Sequence, residues 1–111
     1  MNAIHPVLIA NEHGYKDVPA QDKYRDFSRG QCVSHTCYTL MLALKNSFEL
    51  DIQPSSHMDS GRGYMRVKIE RGQAILFHGR LRHGGLAGPT RLHVYMSTMR
   101  SSEIGDETHF D

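Results

Sequence analysis

The sequence predicts an all-β barrel or sandwich of short antiparallel strands. About six short segments have strand character, and turn-forming residues separate them at intervals of ~8–12 residues. Several of these segments alternate apolar and polar residues with the period of two that a half-buried strand requires. The chain of 111 residues has the length of one compact domain, so we expect a single domain over residues 1–111.

The strands are assigned from alternation and from their flanking turns. The clearest is 48–53, where Phe48, Leu50 and Ile52 alternate with polar residues and Pro54 ends the strand. The apolar run 37–44 has no polar face, but its brevity and β-favouring residues indicate a strand rather than a helix. All the expected strands are 5–10, 37–44, 48–53, 64–70, 74–77 and 91–98.

The other segments are predicted as connections. Residues 13–31 are polar and contain one proline and two glycines, which predicts a loop or lid with one helical turn around 21–27. Gly84–Gly85 and Gly88–Pro89 are typical of turns. The polar residues 100–111 predict a flexible tail. Met65 is expected to face the core.

Composition narrows the possible partners. Thirteen Lys and Arg against twelve Asp and Glu give a formal charge of +1, which indicates neither a nucleic acid nor a membrane surface as partner. The N-terminus has no charged segment ahead of an apolar one, so we expect a cytoplasmic protein in which Cys32 and Cys37 are reduced thiols. Four basic residues are expected on a solvated face: Arg62, Arg66, Lys68 and Arg80.

The segment 71–97, RGQAILFHGRLRHGGLAGPTRLHVYMS, contains the strongest functional signal. A Gly-rich turn presents His83, and Arg91 begins the next strand. Period-two alternation places four residues of that strand on one face: Arg91, His93, Tyr95 and Ser97. Imidazole is a common metal ligand and guanidinium binds carboxylates in bidentate fashion. The segment therefore predicts a metal ion and a small carboxylate close together.

Three stretches between residues 38 and 98 resemble the phytanoyl-type Fe(II)/2-oxoglutarate oxygenases: TLMLAL…FELDIQPSSH, GQAILFHGRLRHGG and RLHVYM. The resemblance implies a minimal double-stranded β-helix, a jelly-roll or cupin-like barrel, with its core at 38–98. It also implies a dioxygenase that uses Fe(II) and 2-oxoglutarate to hydroxylate a small-molecule or protein substrate. Such barrels expose strand edges, which makes a homodimer an option.

The resemblance also implies roles for particular residues. His83 corresponds to the distal iron ligand and Arg91 to the arginine that binds 2-oxoglutarate, with His93 and Tyr38 as further contacts to this co-substrate. The family's other two ligands form a His-x-Asp pair upstream of the first apolar strand, and this sequence has none there. Three segments could substitute for this pair. His35-Thr36-Cys37 ranks first and Glu12-His13 second. The third, His57-Met58-Asp59, is interpreted as the end of a turn.

Two other functions compete with the oxygenase hypothesis. The missing His-x-Asp pair favours a non-catalytic or degenerate barrel, acting as a binding module or representing a fragment of an oxygenase core. A small cupin-like metalloenzyme would require a His-x-His pair followed by a glutamate. The sequence contains no such pair, which disfavours this third hypothesis.

Overall fold

A computed structural model describes residues 5–10, 23–86, 91–100, 103 and 109–110. All six expected strands are confirmed, and the described residues contain a seventh. The elements in chain order are β1 (His5–Ala10), α1 (Arg29–Ser34), β2 (Cys37–Ala43), β3 (Phe48–Ile52), a 3-10 helix (Ser56–Met58), β4 (Met65–Ile69), β5 (Ala74–His78), β6 (His83–Gly85) and β7 (Arg91–Ser97).

Seven strands form two antiparallel sheets. The four-stranded sheet has the order β1-β7-β2-β5, and the three-stranded sheet has the order β4-β3-β6. Side chains from both sheets pack into one apolar cluster: Met41, Ala43, Phe48, Leu50, Ile69, Phe77 and Leu81. The two sheets therefore face each other across a shared core, as in a small jelly-roll barrel, and the predicted fold class is confirmed.

The helix lies later in the chain than the sequence prediction placed it. The expected helical turn around 21–27 is wrong in its described part, because α1 begins only after Ser28. Ser28 and Gln31 form a capping box, in which each side chain binds the other residue's backbone N–H. Tyr24 and Arg25 instead form isolated β-bridges with His83 and His109. Residues 13–22 lie outside the described part of the chain.

Three further predictions are wrong, each because the local pattern did not reveal the tertiary neighbours. The expected turn at Gly84–Gly85 belongs to β6, where Gly84 pairs with Asp51 of β3. Arg80, expected in solvent, is only 3% exposed. Met65, expected in the core, is 51% exposed.

Among the described residues, no helix has the length and apolar character needed to cross a bilayer.

Candidate functional site

A band of polar side chains lies inside the barrel. On β7 the inward residues are Arg91, His93, Tyr95 and Ser97, all at most 5% exposed. Arg91 pairs with buried Ala43 of β2, and His83 pairs with Ile52, which packs against the apolar cluster. Paired residues of antiparallel strands point to the same face. Arg91 and His83 therefore both face the interior, as the sequence predicted.

Two aromatic rings pack against the imidazole of His83. The rings of Tyr24 and Phe77 each lie 4.7 Å from it, centroid to centroid. Its Nδ1 is 2.9 Å from the Leu81 carbonyl oxygen, so Nδ1 carries the proton that this carbonyl accepts. Its Nε2 is 3.4 Å from Asp26 Oδ2. Nε2 thus either donates to Asp26 in the imidazolium form or holds a lone pair in the neutral ring.

Asp26 is the carboxylate of this interior, and the sequence analysis missed it. Its side chain is fully buried; Thr39 Oγ1 donates to Oδ2 at 2.8 Å, and Tyr95 lies 3.5 Å from Oδ1. Burial by itself raises the pKa of Asp26, but the charge of His83 and hydrogen bonds from His83 and Thr39 outweigh burial and lower it. Asp26 is therefore held as a buried carboxylate.

We expect Asp26→Asn to lower the free energy of unfolding by about 2 kcal/mol at pH 7, since hydrogen bonds to a buried charged group are worth ~1.5–3 kcal/mol. An aspartate with a lowered folded-state pKa stabilises the fold above its unfolded pKa of ~3.9, and this contribution is lost as the pH falls below that value. Urea unfolding from pH 7 to acid should show the two proteins converging. A difference that stays constant with pH contradicts this assignment.

Arg91 is a buried cation at the start of β7. Its guanidinium lies over the Phe48 ring at 5.1 Å, and Nη2 donates to the Leu86 carbonyl at 3.0 Å. Nη1 is buried and, among the described residues, makes no hydrogen bond. Burial lowers the pKa of Arg91, and the Tyr24 phenol acts in the opposite direction. Tyr24 thus interacts with both Arg91 and His83.

The other predicted site residues are not all brought together. His93 faces the interior beside Tyr95, with the ring centroids 6.4 Å apart, and its charge acts on Asp26. Tyr38 lies on the opposite face of β2 from Thr39 and contacts His78 instead. His35 directly follows α1, and its Nδ1 lies 3.2 Å from Thr98 Oγ1. Glu12 and His13 lie outside the described residues.

The described residues do not fit the iron site that the resemblance implies. Within 23–86 and 91–100, and at the few described positions beyond, no three His, Cys, Asp or Glu side chains form a group that could hold a metal ion. His83 and Asp26 are two neighbouring donors, whereas the 2-His-1-carboxylate site needs three. His57 belongs to the 3-10 helix and its ring contacts His78 at 5.2 Å.

The two cysteines, expected as reduced thiols, are free and pack in one cluster beside Phe27 and Tyr95. A hydrogen bond from Cys32 is the main cause that lowers the pKa of Cys37 to about 7. The same contact raises the pKa of Cys32. Cys37 is 1% exposed, so its thiol is shielded from solvent.

Comparison with known proteins identifies the fold and nothing finer. No protein-family model matches this sequence, and neither does any curated protein. The structure of KdgF from a Halomonas species is similar over 92% of this chain and 76% of that one, with a TM-score of 0.53 and 10% identity. An RmlC-like cupin from Shewanella frigidimarina is similar over 91% and 71%, with a TM-score of 0.52 and 11% identity. The chain therefore has a cupin-like double-stranded β-helix fold.

Proposed function

We propose that this chain is a cupin-like barrel that binds a small carboxylate-bearing molecule in its interior, with Arg91 as the carboxylate-binding residue. One observation carries the proposal: Arg91 is 1% exposed, and in the described part of the chain its buried Nη1 has no hydrogen-bond partner. A buried charge without a counter-ion is costly. A ligand carboxylate would supply both the missing acceptor and the missing charge.

The neighbours of Arg91 suit such a ligand. Tyr24 contacts the His83 ring and interacts electrostatically with Arg91, so a molecule held by its carboxylate on Arg91 would have the His83–Asp26 pair as a second polar partner. The Asp26 carboxylate beside His83 Nε2 can accept a hydrogen bond from a ligand hydroxyl or amine. The Phe48 ring lies against the Arg91 guanidinium and the Phe77 ring against His83, and apolar surroundings of this kind strengthen polar contacts.

The Fe(II)/2-oxoglutarate oxygenase is the second candidate, supported by the shared interior position of His83 and Arg91. The distal carboxylate of 2-oxoglutarate is a ligand of the class that Arg91 suits. Against it stands the absence of a third metal donor beside His83 and Asp26 among the described residues. A bound iron would supply the oxidising chemistry in such an enzyme, and the protein would supply the position of the carboxylate.

Anaerobic calorimetry with 2-oxoglutarate, succinate and pyruvate, each with and without Fe(II), separates these functions. The binding function predicts that at least one of these carboxylates binds with Kd below ~1 mM without metal. The oxygenase predicts that 2-oxoglutarate binds only with Fe(II) and forms succinate once oxygen is admitted. Arg91→Gln should abolish binding, whereas Arg66→Gln, which removes a surface partner of Asp51, should not. Carboxylate binding that survives Arg91→Gln refutes the proposal.

A further inference from the structure

The two cysteines form a thiol pair that the proposed carboxylate site does not use. Cys32 lies in α1, and Cys37 is the first residue of β2. Both pack in one cluster with Phe27 and Tyr95. The two thiols are in hydrogen-bond contact, which is the largest influence on the pKa of each. The fold therefore places two free thiols side by side, where a helix is joined to a strand.

One member of the pair is fixed and the other can adjust. The backbone of Cys37 pairs with Ser97 of β7, and its carbonyl accepts a hydrogen bond from the Gly79 N–H at 2.9 Å. Cys32 belongs to a helix of six residues that contains no buried residue, so few packing contacts resist a small shift of α1. A disulfide requires the two sulfurs to approach to ~2.05 Å. A shift of α1 can supply this approach without moving the sheet.

The two thiols differ in their access to solvent. Cys37 is 1% exposed, whereas Cys32 is half-buried, so a reagent from solution meets Cys32 first. The contact with Cys32 lowers the pKa of Cys37 to about 7, and near neutral pH a large share of the pairs has therefore lost one proton. The remaining proton is shared in the hydrogen bond between the sulfurs. The pair thus holds a thiolate, which is the reactive form of cysteine.

We propose that Cys32 and Cys37 are a redox-sensitive pair, which small-molecule disulfides such as oxidised glutathione convert into an intramolecular disulfide. In the first step the Cys32 thiolate attacks one sulfur of the reagent; the S–S bond of the reagent breaks, a mixed disulfide forms and one small thiol leaves. In the second step the Cys37 thiolate attacks the Cys32 sulfur and releases the second small thiol. Two electrons pass to the reagent, and the two thiol protons end on the small thiols.

The disulfide would fasten the segment that carries Asp26. This residue lies two positions before Ser28, the N-cap of α1, and its carboxylate accepts a hydrogen bond from Thr39 of β2. A bond between Cys32 and Cys37 ties the far end of the same segment to the start of β2. Oxidation therefore restrains the backbone around the buried carboxylate, whether or not the barrel binds a ligand.

Intact mass spectrometry of the full chain after treatment with oxidised glutathione tests the proposal, with acid quenching and alkylation of the remaining thiols. We expect the folded protein to lose two hydrogens, to take up no alkylating reagent and to recover both thiols with dithiothreitol. Cys37→Ser should stop at the mixed disulfide on Cys32. Cys32→Ser should react at least ~10-fold more slowly than the native sequence, because its remaining thiol is buried.

The thermal midpoint of unfolding gives a second readout. Closing the loop of six residues, 32–37, should raise the midpoint by about 5 °C relative to the reduced protein. Should Cys37→Ser fail to fold, the mass of the native sequence and the rate of Cys32→Ser still decide. The proposal is overturned by thiols that stay reduced, by a mixed disulfide or linked dimers that accumulate in the native sequence, by a midpoint that does not rise, or by a Cys32→Ser variant that reacts at the native rate.

Discussion

Arg91→Met is expected to stabilise the ligand-free protein while it abolishes carboxylate binding. The guanidinium is buried, and removing an ion from water costs several kcal/mol in real proteins. Methionine fills a similar elongated space without a charge and keeps contact with the Phe48 ring. Losing the hydrogen bond to the Leu86 carbonyl costs ~1–3 kcal/mol. The net gain in the free energy of unfolding should be about 1–3 kcal/mol.

The same variant should weaken carboxylate binding by about a hundredfold, since removing one partner of a buried, hydrogen-bonded charge pair costs ~2–5 kcal/mol. Urea unfolding measures the first effect and calorimetry the second. Arg66→Met, at a side chain that is 57% exposed, should change the free energy of unfolding by less than ~0.5 kcal/mol. If Arg91→Met is less stable and binds carboxylates with unchanged affinity, Arg91 contributes to the stability of the fold and not to ligand binding.

Gly79→Ala is expected to be among the most damaging single substitutions in the described part of the chain. A Cβ at Gly79 would lie 2.3 Å from Phe27 Cδ2 and 3.0 Å from Cys37 Cβ. Phe27 is 1% exposed and its amide donates to the Gly79 carbonyl at 3.1 Å, so neither side can move away easily. Overpacking of this kind costs ~1–3 kcal/mol and occasionally more; we expect about 3 kcal/mol.

This substitution also reaches the site, because Phe27 directly follows Asp26. A displaced Phe27 should pull the Asp26 carboxylate away from His83 and Thr39, so Gly79→Ala should also weaken ligand binding. Gly30→Ala is the matched control: its Cβ would meet nothing within 4 Å, and alanine in a helix is favoured over glycine by ~0.5–1 kcal/mol. Urea unfolding of both variants should give shifts of opposite sign; equal stabilities would contradict the packing described for Gly79.

The strands and the inward face of β7 could be predicted from the sequence because both follow from local alternation. Arg91 and His93 lie on the same face of any β-strand that contains both, and the other residues of that face are polar as well. His83 was predicted in the site as well, although in a turn. Its three-residue strand is set by pairing with β3 and with Tyr24, and a sequence of two glycines carries no strand signal of its own.

Asp26 could not be predicted because nothing local distinguishes it. It lies in a polar segment for which the sequence predicts a loop, and contacts with residues distant in the chain, such as the bridge between Tyr24 and His83, bring that segment to the interior. Thr39 is easier to place: period two puts it on the same face of β2 as Met41, which packs in the core. The burial of Arg80 likewise depends on the Phe27 carbonyl, 53 residues away in the chain.

The structure of the protein bound to its tightest carboxylate ligand tests the central claim most directly. We predict electron density for the ligand in the barrel interior, with a carboxylate oxygen ~2.7–2.9 Å from Arg91 Nη1 and the rest of the molecule extending past Tyr24 toward His83 and Asp26. A ligand bound elsewhere on the chain, or an Arg91 guanidinium that already pairs with a carboxylate of the protein itself, would contradict this account.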